Sequence, residues 1–134
     1  MNTYPMTPIE TQSIAKPNLT ERRRYQRFKA PEKTLAITPN IIGQIIDISA
    51  GGCELKYIDN NGQLPREGVM DILANDAGFY LEEVPVAMAW QDRPENSALS
   101  TIIIRKVGLS FANLSPAQKE QIDFFIKNHT LGIA

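Results

Sequence analysis

One cysteine, one histidine and one tryptophan stand among the 134 residues, and each scarcity excludes something. With Cys53 alone, no intrachain disulfide can form and no four-thiolate metal site exists. A reducing cytosol suits such a chain. His129, near the C-terminal end of the sequence, reads as a helix-end cation or a surface residue rather than a catalytic base. Ser49 lies outside any G-x-S-x-G elbow, no glycine-rich loop ends in Gly-Lys-Ser/Thr, and the acids show no metal-ligand spacing. Neither an enzyme nor a metal or cofactor protein is expected. No apolar run approaches the ~18 residues that span a bilayer. The first residues lack the basic region and apolar run of a signal peptide. A cytoplasmic protein with no membrane insertion is the expectation. Charge of one sign is also missing: 14 Lys and Arg face 15 Asp and Glu, for a net charge of −1. That balance speaks against a nucleic-acid coat protein, which is basic overall.

The charge that is present is concentrated. Arg22, Arg23, Arg24, Arg27 and Lys29 follow Glu21, five cations against one acid, so this segment carries about +4 and the remainder about −5. A small anion site fits such a distribution better than a broad basic surface. Before it, residues 1–20 hold Pro5, Pro8 and Pro17 among Thr, Asn and Ser, and read as a flexible N-terminal tail or one that orders on binding. A composition of 43% hydrophobic and 22% charged residues is that of an ordinary globular domain, here placed at residues 21–130.

From Lys33 onward the pattern is mainly β. Residues 34–37 form a short strand ending at Pro39-Asn40, and the isoleucine-rich 41–48 runs into the turn signal Ser49-Ala50-Gly51-Gly52. Cys53, Leu55 and Tyr57 alternate with Glu54 and Lys56, the period of a half-buried strand. A loop at 59–62, a strand at 69–74 and a turn at 75–78 follow. Val84, Val86, Met88 and Trp90 then alternate inward along a longer strand, with Pro85 marking an edge or bulge near its start. After a turn at 93–96, residues 101–111 make the last strand. Ser115 is a helix N-cap, Pro116 takes the first helical position, and Gln118 completes a weak capping box. Ile122, Phe125 and Ile126 share the buried face, and Gly132 terminates the helix. The sum is a small six-stranded antiparallel β-barrel with a C-terminal α-helix.

Two motifs carry chemistry. Arg23-x-x-x-Arg27 places two guanidiniums on one side of the chain, each a planar fork suited to a phosphate or a guanine O6/N7 edge. Asp47-Ile48-Ser49-Ala50-Gly51-Gly52 is a D-x-S-x-x-G motif at a strand-to-turn junction. Asp47 is an acceptor-only carboxylate, able to take two donors such as guanine N1–H and N2–H, and Ser49 faces the same side two residues on. Gly52 permits a backbone conformation or close approach that a Cβ would obstruct. A plainer reading makes the arginines a solvated linker, and Asp47 and Ser49 stabilisers of a hairpin turn.

Together and in this order, the motifs resemble the signature of the PilZ family, bacterial receptor domains for the second messenger cyclic di-GMP. The stretch 105–111 and the helix after Ser115 are similar to that family's closing strand and C-terminal helix. The resemblance implies a split-barrel fold of the PilZ type and a cyclic di-GMP site made by Arg22, Arg23, Arg27, Asp47, Ser49 and Gly52. A basic residue before the first motif arginine, here Arg22, implies that the ligand binds as an intercalated dimer. A stand-alone receptor of this kind relays its signal to a protein effector. The alternative is a PilZ-fold adaptor acting by protein contact without the nucleotide. Single-stranded nucleic acid is not an expected partner, because strand aromatics are few and the cations are confined to one segment. Trp90, Phe111, Phe124 and Phe125 are expected in the core, Cys53 as a buried small hydrophobe, and Arg105 and Lys106 in cross-strand charge pairs. Tyr25 suits either ligand stacking or barrel contact.

Overall fold

The computed structural model describes residues 25–59, 64–92 and 102–134. The expected tail at 1–20, Arg22, Arg23, the loop tip at 60–62 and the turn at 93–96 lie outside the described residues. Seven strands follow in chain order: β1 (Phe28–Lys29), β2 (Thr34–Ile37), β3 (Ile42–Ser49), β4 (Gly52–Asp59), β5 (Glu67–Ala74), β6 (Phe79–Gln91) and β7 (Ile103–Phe111). A 3-10 turn, Asn75–Ala77, joins β5 to β6, and α1 (Pro116–His129) follows β7.

All pairings are antiparallel, in the order β1-β3-β2-β5-β6-β7-β4. A further β3–β4 pairing closes six of the strands into a barrel and leaves β1 as the extra one. Closure removes the open edges that a sheet of this size would otherwise expose. The short β1 and β2 both run along one side of β3, with Lys29 opposite Asp47 and Leu35 opposite Gln44. Lys33, at positive φ, turns the chain between them.

The interior is filled from alternate positions. Cys53, Leu55 and Tyr57 of β4 point inward as the period of two requires, beside Ile45, Ile48, Met70, Ile72, Val84 and Val107. Two strands break the period. β3 shifts register between Ile45 and Asp47, and β6 between Met88 and Trp90. One extra residue exchanges the two faces of a strand. Ile45 and Ile48 are therefore both in the core, while Asp47 and Ser49 face outward. Met88 packs on the core, whereas Trp90 turns outward onto Gly108. The expected inward series of β6 thus holds through Met88 and ends there.

β6 also begins at Phe79, earlier than its alternating stretch suggests, with Glu83 at positive φ. Asp71 accepts from the Glu83 amide at 2.9 Å and from the Tyr80 hydroxyl at 2.7 Å, which stabilises that irregularity. These contacts hold the Asp71 carboxyl below the usual carboxylate range. Pro85 sits one residue before β6 gains its β7 partner at Val86, so its missing N–H falls at the margin of that pairing.

The capping box of α1 is complete. Gln118 N–H donates to Ser115 Oγ and Ser115 N–H to Gln118 Oε1, both at 3.0 Å. The Gln118 amide also donates to the Glu82 and Glu83 carbonyls, fastening the helix start to β6. Ile122 and Phe125 are buried, with Phe125 4.7 Å from Phe79 between ring centroids. Phe124 is 54% exposed rather than in the core, since it falls one position off that buried face. Thr130 caps the helix end. Gly132, at positive φ, then turns the following residues to pair with β1.

Phe125→Ala removes a ring with 0% exposure and should cost about 3–5 kcal/mol, read as a lower midpoint in urea unfolding. An unchanged midpoint would contradict the helix packing described here.

Candidate functional site

The outward-facing ends of β3, β4, β6 and β7 bound an open cleft of about 590 Å³, within the size range of small-molecule sites. Its polar floor comes from β3. Asp47 and Ser49 are only 9% and 8% exposed; without the register shift they would point into the apolar interior. Ser49 Oγ accepts from Gly51 N–H at 3.1 Å and donates to the Gly52 carbonyl at 3.4 Å, so the turn-stabilising role foreseen for Ser49 is real.

Neither Gly51 nor Gly52 has positive φ. Each is glycine because something occupies the place of a Cβ. At Gly51 the Tyr25 ring lies 2.5 Å from where that atom would be, and at Gly52 it is the Leu109 carbonyl of β7. The close approach expected at Gly52 is therefore an approach of strand to strand. Tyr25 makes the barrel contact that its sequence left open. Opposite it, Gly108 gives way to the Trp90 indole, which forms the far wall.

Arg27 reaches the cleft from the residue preceding β1. Its Nη1 stands 3.8 Å from Asp47 Oδ2 and 3.8 Å from Glu54 Oε1. These separations exceed a hydrogen bond, so attraction holds the guanidinium between two acids without locking its fork. Its backbone is fixed more firmly: the Arg27 carbonyl accepts from Ala134 N–H at 3.0 Å, and Lys29 exchanges bonds with Leu131 and Gly132.

Of the residues expected to form the site, Arg27, Asp47, Ser49 and Gly52 all line this one cleft. Arg22 and Arg23 lie outside the described residues. The sequence matches the PilZ domain family over residues 21–128. The chain belongs to the PilZ domain family. No curated protein sequence matches it. Among solved structures it is similar to the PilZ domain of YcgR from Escherichia coli with c-di-GMP, at 18% identity and a TM-score of 0.56, covering 81% of this chain and 91% of that one. A second YcgR structure in complex with c-di-GMP matches at 18% identity and a TM-score of 0.56, over 79% of this chain. This PilZ chain spans only 45% of that longer protein. At such identities the likeness establishes the shared barrel and nothing finer.

Trp90, Glu54 and Gly108 are cleft residues of this PilZ domain that lie outside both motifs, while Tyr25 falls between the arginines of the first. The signal for Trp90 was its place at the end of an alternating run, but a register shift leaves no mark in the residue pattern. Arg105, by contrast, makes the expected cross-strand pair, its Nε 2.5 Å from Asp59 Oδ2. Cys53 is buried as expected; burial first, then the Asp47 and Glu54 carboxylates, push its thiol well above the usual range.

Two expectations follow. Gly108→Ala should displace the indole and shift the emission maximum of the single tryptophan while the far-ultraviolet β spectrum persists; unchanged emission would contradict the packing. Because the thiolate is disfavoured, Cys53 should react slowly with a thiol reagent at about pH 8 and rapidly once unfolded. Fast reaction of the native protein would show the thiol to be accessible.

Proposed function

We propose that this PilZ domain binds cyclic di-GMP and passes the signal to a protein effector as a stand-alone cytoplasmic receptor rather than an enzyme. The observation that carries the reading is the convergence on one cleft of Arg27, Asp47, Ser49 and Gly52, drawn from both motifs. A purine nucleotide with phosphates needs forks for its anions and acceptors for guanine N1–H and N2–H. Arg27 supplies the first and Asp47, with Ser49 beside it, the second. Arg22 and Arg23 complete the cationic set, with Arg22 holding the second molecule of an intercalated ligand dimer. The Trp90 and Tyr25 rings offer flat apolar walls for bases. Binding of a dianion to the arginine segment supplies a switch, because the bound ligand changes what the outer barrel presents to an effector.

Calorimetric titration with cyclic di-GMP is expected to give saturable binding near two ligands per chain. Arg27→Ala should remove a charge-assisted contact of ~1.5–3 kcal/mol, roughly a 10- to 150-fold loss of affinity. A stoichiometry near one would withdraw the role of Arg22. A flat titration of folded protein would leave the nucleotide-independent adaptor as the better account.

A further inference from the structure

Arg27 owes its place in the cleft to the residues that follow α1. β1 is two residues long, and its register with β3 covers Phe28 and Lys29. Arg27 lies one step beyond that pairing. Its carbonyl accepts from Ala134 N–H at 3.0 Å and from the exposed Gln26 side-chain amide at 3.3 Å. Gln26 is its neighbour in the chain and moves with it, so among the described residues Ala134 is the outside anchor. That bond belongs to a short antiparallel strip. Lys29 N–H donates to the Gly132 carbonyl at 2.8 Å, Leu131 N–H donates to the Lys29 carbonyl at 2.9 Å, and Phe28 faces Ile133.

Backbone bonds hold this strip together. Leu131 and Ile133 are 66% and 65% exposed, so apolar burial contributes little to it. Gly132 directs it, at a φ of 116° that strains an L side chain. Nothing lies within 4 Å of the place of its Cβ, so the conformation rather than crowding calls for glycine, unlike at Gly51, Gly52 and Gly108. The strip starts from a fixed point. Gln118 ties α1 to β6, Phe125 is buried, and Thr130 Oγ1 donates to the Ile126 carbonyl at 2.7 Å.

We infer that residues 131–134 position Arg27 for the ligand, with Gly132 aiming the strip and Ala134 holding the arginine. This rests on the proposed ligand. The guanidinium stands 3.8 Å from each of its acids, beyond hydrogen-bond range, so the backbone sets where its fork can reach. A residue with a free backbone must be ordered when it takes a ligand, and that entropy is subtracted from the affinity. Here the strip has already ordered Arg27 before a phosphate arrives. Ala134 and Gly132 touch no ligand in this account; they act through Arg27.

The test is cyclic di-GMP titration and urea unfolding of the full chain as wild type, Ala134→Pro, Ala134→Ser, Gly132→Val, Arg27→Ala and the double variant Arg27→Ala with Ala134→Pro. Proline has no N–H to give the Arg27 carbonyl, whereas serine keeps it. Ala134→Pro should bind about 5- to 30-fold more weakly than wild type with its unfolding midpoint unmoved. Ala134→Ser should restore wild-type affinity, and Gly132→Val should weaken binding in the same sense as the proline. In the Arg27→Ala background, Ala134→Pro should cost nothing further. Wild-type or tighter binding by Ala134→Pro overturns the inference. An equal loss without Arg27 also overturns it, as does a loss matched by a lowered midpoint, because residues 131–134 would then support the fold in general. A flat titration of folded wild type overturns the ligand assignment and the positioning role with it, whereas wild-type binding that the proline leaves unchanged overturns the positioning role alone.

Discussion

A barrel strand has an apolar face and an outer face, and one inserted residue exchanges them for everything that follows. The register shift after Ile45 lets β3 keep Ile48 in the core while Asp47 and Ser49 turn outward. The shift after Met88 does the same for Trp90. Had either strand kept a strict alternation, a carboxylate would enter the hydrophobic interior or an indole would need space there. Both outcomes are costly. The cleft is thus a consequence of two local irregularities in the barrel, separate from the one at Glu83, and three glycines, Gly51, Gly52 and Gly108, make room for what they bring together.

The second constraint is electrostatic. Asp47 is nearly buried and lies opposite Glu54, so the floor of the cleft needs a cation. Arg27 meets that need from a backbone held on both sides, by β3 and by the residues that follow α1. The same side chain therefore belongs to the charge balance of the cleft and to the proposed recognition of phosphate. The exposed isoleucines 42, 58 and 104 lie toward the opposite end of the outer surface, well along β4 from Gly52.

Much of this was legible in the residues. β2 has the limits its pattern implies, β4 alternates as read, and Ser115, Pro116 and Gln118 marked the helix start to the residue. The reason is physical: a regular strand and a capped helix are governed by local rules written in neighbouring residues. The pair of motifs gave the family and four of the cleft residues. What escaped depended on tertiary contacts. Glu82 and Glu83 hide the first part of β6, which forms because Asp71 accepts from the irregular backbone there. Trp90 reads as inward in the sequence because a bulge is a matter of pairing, not composition. Phe124 has the chemistry of a core residue, although its helical position turns it to solvent.

The most direct test of the central claim is amide and indole chemical-shift mapping of the protein during addition of cyclic di-GMP. A ligand seated in this cleft moves resonances that cluster at residues 47–54, 89–90 and 108–110 and include the Trp90 indole N–H, which reports on the cleft wall alone. Shifts gathered around Ile42, Ile58 and Ile104, with the cleft and Trp90 unmoved, would contradict it.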